Sequence, residues 1–177
     1  RPLLWLGGGA RGASAAVARL VKMGFGVVTT VQGRGVIAED HPMSIGAYNL
    51  QPAIESFFQT CDAMLVVGSR LRSNETLKYQ LKLPQPLLRI DADPMANGRC
   101  YRSAQFVCGD AALTLDALAD KLEGRMKIDK AYAGDLRKAH DSAVASLRDG
   151  LGPYAALVDA VQAHAGTHFN WVRDVTV

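Results

Sequence analysis

The chain has 177 residues, 49% of them hydrophobic and 21% charged, and its 20 Lys and Arg against 17 Asp and Glu leave a net charge of +3. That length holds one well-cored domain plus a remnant, and the composition excludes a disordered tail, a fibrous repeat and a disulfide scaffold. The small positive surplus does not mark a nucleic-acid or membrane surface, and no apolar run approaches the roughly 18 residues of a membrane span.

Short apolar runs alternate with helical patterns, the sign of βαβ units and a parallel sheet. Leu3 to Leu6 is predicted as a first strand, running into Gly7-Gly8-Gly9-Ala10-Arg11-Gly12. Ala13, Ala16, Val17, Leu20 and Val21 then share one helix face, and Gly24 ends that helix. Gly26 to Thr30 is β-branched and reads as strand two, whereas Gln32 to Leu50 has no clean period and reads as a long loop. Pro52 to Thr60 is a short helix with Pro in its first turn. Strands three, four and five follow at Met64 to Val67, Pro86 to Ile90 and Gln105 to Cys108. Asp110 reads as the N-cap of a helix carrying Leu115, Leu118, Ala119 and Leu122. Lys130 to Arg148 is an amphipathic, charge-rich helix, Gly150-Leu151-Gly152-Pro153 is the best boundary, and Tyr154 to His164 is a last helix. The final residues, 169–177, read as a strand cut mid-run, and with no initiator Met the chain reads as a piece of a longer one.

The expected architecture is an α/β, doubly wound, mainly parallel Rossmann-like sheet flanked by helices. Ligands in such sheets sit at the carboxyl ends of the strands, where the strand order reverses. Gly7, Gly9 and Gly12 satisfy G-x-G-x-x-G after a strand and before a helix, the context in which glycines let backbone approach a pyrophosphate. Strand two ends in Thr30 and Gln32 with none of the acid that a nicotinamide dinucleotide needs. A different adenine nucleotide, or a tight turn with no ligand, therefore both stand. Asp91 is placed to accept from a ribose, or else to cap the loop with Asp93. His164 and His168 have i, i+4 spacing but no completing carboxylate, so a surface or capping role is expected. His140 reads as solvated and His41 as a weak catalytic candidate in the long loop. There is no nucleophile elbow, phosphate-binding P-loop or catalytic triad, so neither catalytic nor metal residues are assigned. Cys61, Cys100 and Cys108 form no CxxC pair, and buried, reduced thiols in a cytoplasmic protein are expected.

Several phrases together resemble one family. These are Thr29-Thr30-Val31-Gln32-Gly33-Arg34-Gly35-Val36-Ile37-Ala38-Glu39-Asp40-His41-Pro42 with Ser44-Ile45-Gly46, then Asp62 to Leu71, then Leu88-Arg89-Ile90-Asp91-Ala92-Asp93-Pro94, then Val107-Cys108-Gly109-Asp110-Ala111. In order and spacing they are similar to the middle domain of thiamine-diphosphate-dependent decarboxylases and carboligases, a group that includes acetolactate synthase and benzoylformate decarboxylase. The likeness covers about Leu3 to Leu122. It implies a middle domain over 1–125, a connector over 126–152 and the truncated start of a diphosphate-binding domain over 153–177. It further implies a 2-oxo acid substrate, thiamine diphosphate with Mg²⁺, and a homo-oligomer, dimer or tetramer, for the whole enzyme. The catalytic glutamate and the Mg²⁺ motif of the family belong to domains outside this sequence, so the piece alone is expected to be inert. Asp174 and Thr176 are the only candidates near that cofactor. Middle domains of the family hold FAD, ADP or nothing. The matching positions are Gly7, Gly8, Gly9, Thr30, Gln32, Gly68, Ser69, Arg70, Asp91, Ala92, Gly109 and Asp110. FAD-binding synthases read Gly-Ala-Arg-Phe-Asp-Asp-Arg where this chain reads Gly68-Ser69-Arg70-Leu71-Arg72-Ser73-Asn74, which argues against FAD. The expectation is a scaffold with an empty crevice or, second, an adenine nucleotide. A stand-alone nucleotide-binding module without catalysis is the alternative.

Overall fold

The computed structural model describes residues 1–165. Six strands, β1 (Pro2–Leu6), β2 (Gly26–Thr29), β3 (Ser44–Gly46), β4 (Ala63–Val67), β5 (Leu87–Asp91) and β6 (Gln105–Cys108), form one sheet in the order β3-β2-β1-β4-β5-β6. Every neighbouring pair is parallel, so the doubly wound α/β sheet expected from the sequence is present. The helices are α1 (Ser14–Lys22), α2 (Pro52–Phe58), α3 (Ala111–Leu122), α4 (Tyr132–Leu151) and α5 (Ala155–Ala165).

All five residues of β1 are buried, as a central parallel strand covered on both faces requires. Their alternation splits the core. Leu3 and Trp5 pack with Phe57 and Phe58 of α2 and with Tyr132 and Leu136 of α4. Leu4 and Leu6 pack with Val17 and Leu20 of α1 and with Leu115 and Ala119 of α3. Helix α1 buries the predicted face and ends in two backbone bonds, Gly24 N–H to Val21 and Phe25 N–H to Leu20, with Gly24 at φ +100°. Asp110 caps α3 as expected, its Oδ1 accepting from the Leu113 N–H at 3.0 Å. Arg19 of α1 reaches Asp116 and Asp120 of α3.

Three features differ from the sequence expectation. The 32–50 stretch contains β3, which is too short to show a period and pairs with β2 through a register shift at Val27/Val28. Between β1 and α1 the glycine-rich run forms a 3-10 turn, Gly8–Ala13. Of the three thiols only Cys61 is buried, because Cys100 lies on an exposed loop and Cys108 on the edge strand β6. The expected terminal strand lies outside the described residues.

Two compact units divide the chain, residues 1–143 and 144–177. The first extends past residue 125, because Tyr132, Leu136 and Ala143 of α4 belong to its core. Tyr132 stacks on Phe57 and donates its hydroxyl to the Pro2 carbonyl at 2.7 Å. In the second unit, α4 continues to Leu151, beyond the Gly150 expected to open a boundary. A turn at Gly152–Tyr154 then leads into α5, and Arg148 pairs with Asp159.

After β4 the chain takes a left-handed turn in which Leu77, Lys78 and Tyr79 have φ of 49°, 55° and 68°. Side chains crowd the backbone there, which costs about 1–2 kcal/mol per residue. Lys78 is exposed and its side chain is in no ion pair among the described residues. Replacing Lys78 with Gly should therefore raise unfolding stability by about 0.5–1 kcal/mol, read as a shift in the urea midpoint. A lower midpoint would contradict the strain.

Burial pushes the Cys61 thiol up to about 11, so it carries almost no thiolate at neutral pH. A thiol-specific disulfide reagent at pH 8 should consume two thiols in the folded chain and the third only in denaturant. Rapid reaction of all three would show that Cys61 is open.

Candidate functional site

The strand order reverses between β1 and β4, and the chain leaves both strands through glycine. At Gly7 the N–H donates to the Val67 carbonyl at 2.9 Å, and at Gly9 to the Gly68 carbonyl at 3.0 Å. A Cβ on Gly9 would lie 2.8 Å from the Gly68 Cα. One on Gly68, which sits at φ +55°, would lie 2.5 Å from the Gly9 Cα. Bare backbone meets bare backbone, and no side chain fits between. Gly12, the third glycine of the motif, has open space where its Cβ would be.

Above this contact lies a two-part crevice. One part, about 250 Å³, is lined by Gly7, Gly8, Gly9, Thr30, Gln32, Gly68, Ser69 and Arg70, joined by Arg72 and Glu75. The other, about 260 Å³, is lined by Gly9, Gly68, Arg70, Asp91, Ala92, Gly109 and Asp110, joined by Asp93 and others. The fold thus brings all twelve positions singled out in the sequence to one sheet edge. Arg70 is common to both parts; with Arg72 it outweighs the single acid Glu75 at one end, leaving that end net basic, while the other carries three acids (Asp91, Asp93, Asp110). None of the lining residues is aromatic.

The polar side chains are partly committed to the fold. Ser69 Oγ accepts from Trp5 Nε1 at 3.1 Å and from the Leu71 N–H at 3.2 Å. Thr30 Oγ1 accepts from the Gly33 N–H at 3.1 Å, and the Gln32 carbonyl accepts from Arg11 Nε at 2.8 Å. Asp91 Oδ1 accepts from the Asp93 N–H at 3.0 Å, and Asp93 Oδ1 from the Met95 N–H at 2.9 Å. The capping reading of this pair is therefore realised, and with Asp110 it leaves each acid one carboxylate oxygen without a donor among the described residues.

Sequence reasoning missed two contributions. Arg72 and Glu75 come from the turn after β4, where the Arg72 N–H donates to Glu75 Oε2 at 3.2 Å; their three-residue spacing was the available signal. Arg89 of β5 is 1% exposed, and its guanidinium donates to the Ser69 carbonyl at 2.7 Å and the Arg99 carbonyl at 3.2 Å. Burial pulls it below its ordinary value, with Asp91 opposing. A charged residue inside an apolar strand gave no sign of which groups it would meet.

The histidines lie elsewhere. His41 Nδ1 accepts from the Met43 N–H at 3.1 Å, and His164 Nδ1 meets the Ala160 carbonyl at 2.7 Å. His140, expected to be solvated, is half-buried with its ring edge-on to Tyr48, because α4 packs into the core. His168, Asp174 and Thr176 lie outside the described residues. Among the described residues no group of three His, Cys, Asp or Glu is placed to hold a metal, and no helix is long and apolar enough to cross a membrane.

An all-parallel sheet in this strand order, flanked by helices and with a glycine-floored crevice at the reversal, defines a doubly wound, Rossmann-like α/β domain. The family described as "Thiamine pyrophosphate enzyme, central domain" matches residues 1–118, and the chain belongs to it. It is 33% identical over 123 residues to the "Probable 2-ketoarginine decarboxylase AruI" of Pseudomonas aeruginosa, a match covering 69% of this chain and 22% of that protein. Over 126 residues it is 32% identical to the "Probable acetolactate synthase large subunit" of Methanocaldococcus jannaschii, covering 67% and 21%. To the "Acetolactate synthase large subunit" of Parasynechococcus marenigrum it is 30% identical over 126 residues, covering 68% and 20%. The chain spans about a fifth of the length of these relatives.

The glycine contact makes a specific forecast. Gly9→Ala should destabilise the chain by about 1–3 kcal/mol through overpacking, with or without added nucleotide. Gly12→Ala should be neutral or add up to about 1 kcal/mol. Equal effects in thermal melts would show that the Gly9–Gly68 approach is not the constraint.

Proposed function

We propose that this chain is the scaffold and nucleotide shelf at the centre of a thiamine-diphosphate-dependent enzyme that decarboxylates or carboligates a 2-oxo acid, in the manner of acetolactate synthase. The carrying observation is the crevice at the strand reversal in a chain whose family is that of the central domain. In the whole enzyme thiamine diphosphate, held with Mg²⁺, supplies the electron sink that makes cleavage beside a keto carbon feasible. The residues described here bind and position. Arg70 and Arg72 attract an anionic group to the basic end, and the glycine backbone lets it approach closely. The undonated oxygens of Asp91 and Asp110 accept from sugar hydroxyls at the acidic end. A diphosphate with its ribose suits this division, and with no aromatic lining residue to stack a flavin ring, ADP suits it better than FAD. The twelve crevice positions from Gly7 to Asp110 are the proposed contacts. The whole protein is read as a cytoplasmic homo-oligomer. A stand-alone nucleotide module is not favoured, since the matching family is a domain of larger enzymes.

Two measurements test this. The 177-residue chain, given thiamine diphosphate, Mg²⁺ and either pyruvate or 2-ketoarginine, should release no CO₂, and the complete gene product should release it. Turnover by the short chain would overturn the scaffold role, and an inactive full-length protein would overturn the activity. Millimolar ADP should raise the melting temperature of the chain by a few degrees, as expected for a ligand well above its Kd. No shift would remove the shelf.

A further inference from the structure

Arg89 is the one fully buried charged residue of the sheet that the crevice lining does not include. Its guanidinium meets two backbone carbonyls, those of Ser69 and Arg99, and no carboxylate is in ion-pair contact with it among the described residues. The Nε atom has no partner among the described residues. An unneutralised buried charge is costly, and arginine does not escape the cost by deprotonating. Its field instead acts on whatever is near. The nearest group is the Ser69–Arg70 peptide, 2.7 Å from Nη2 through its oxygen. The Arg70 N–H on the other side of that peptide has no acceptor among the described residues, and Arg70 borders both parts of the crevice. A charged donor on the carbonyl polarises the peptide and strengthens its N–H as a donor.

We propose that Arg89 sets the preference of the crevice for an anion, acting through the Ser69–Arg70 peptide as a positioning residue that itself touches no ligand. This rests on the nucleotide-shelf reading and assigns the binding discrimination within it to a residue beneath the site.

Isothermal titration of the 177-residue chain with inorganic diphosphate, ADP and uncharged adenosine tests it, comparing the native chain with Arg89→Gln and Arg89→Lys. Glutamine still donates to a carbonyl but lacks the charge; lysine keeps the charge. In Arg89→Gln, diphosphate and ADP should weaken about tenfold, the scale of one unit charge acting on another roughly 12 Å away at an effective dielectric near 20. Adenosine should change less than about twofold, and Arg89→Lys should keep most of the anion preference. A parallel loss for all three probes would reduce Arg89 to a structural role and overturn the proposal, as would unchanged diphosphate binding. Should the glutamine variant not fold, Arg89→Met replaces it under the same ratio of ADP to adenosine. A native chain that binds neither ADP nor diphosphate overturns the shelf reading itself and this proposal with it. Native ADP binding with an unaltered ratio in the variants overturns this proposal alone.

Discussion

Everything at the sheet's carboxyl edge depends on one constraint: the chain leaving β1 and the chain leaving β4 must pass in backbone contact. Gly7 and Gly9 on one side and Gly68 on the other allow it, and the Gly7 and Gly9 N–H groups are used on the Val67 and Gly68 carbonyls. The first two glycines of the motif are therefore demanded by packing before any ligand arrives. That contact also creates the crevice. Because no side chain rises from the glycines at either exit, the space above them stays open and its floor is peptide. The tight-turn reading of the glycine motif is realised by this contact, and the same bare backbone is what a ligand-approach reading would require.

The wall of the crevice after Gly68 is fixed from below. Trp5 donates to the Ser69 side chain and Arg89 to its carbonyl, so two large buried residues hold one residue from the same face of the sheet. Each neutral bond of this kind is worth about 1 kcal/mol net, and one involving a charge rather more. Their stronger consequence is geometric. The position of Arg70, which stands between the basic and acidic ends, follows from β1 and β5 as much as from its own loop.

The sequence made much of this legible because the strands are short, mostly apolar runs that end abruptly in Gly, Asp or Thr, the central ones buried on both faces. Five of the six strands, α1 with its buried face and the Asp110 cap could be read that way. Once the sheet is doubly wound, strand ends converge on one edge, which is why twelve scattered positions meet at one crevice. Edge strand β3 escaped notice because three residues ending in Gly46 at φ +68° carry no period. The 3-10 turn at Gly8–Ala13 and the left-handed turn at Leu77–Tyr79 depend on contacts made after folding, which local propensity does not encode. The same is true of Arg89. Its residue type says that it needs acceptors, but only the register of β5 beside β4 says that one of them is Ser69.

The hydrogen bonds inside the crevice decide what kind of work the described residues are suited to. A nucleophile or general base must keep a reactive lone pair aimed at substrate. Ser69 and Thr30 instead accept from their neighbours, and Asp91, Asp93 and Asp110 each hold a backbone N–H. What remains available is charge on Arg70 and Arg72, one oxygen on each capping acid and the open peptide floor. These groups are suited to orienting a ligand rather than to reacting with it. A crevice built this way is suited to rigidity and recognition more than to covalent chemistry.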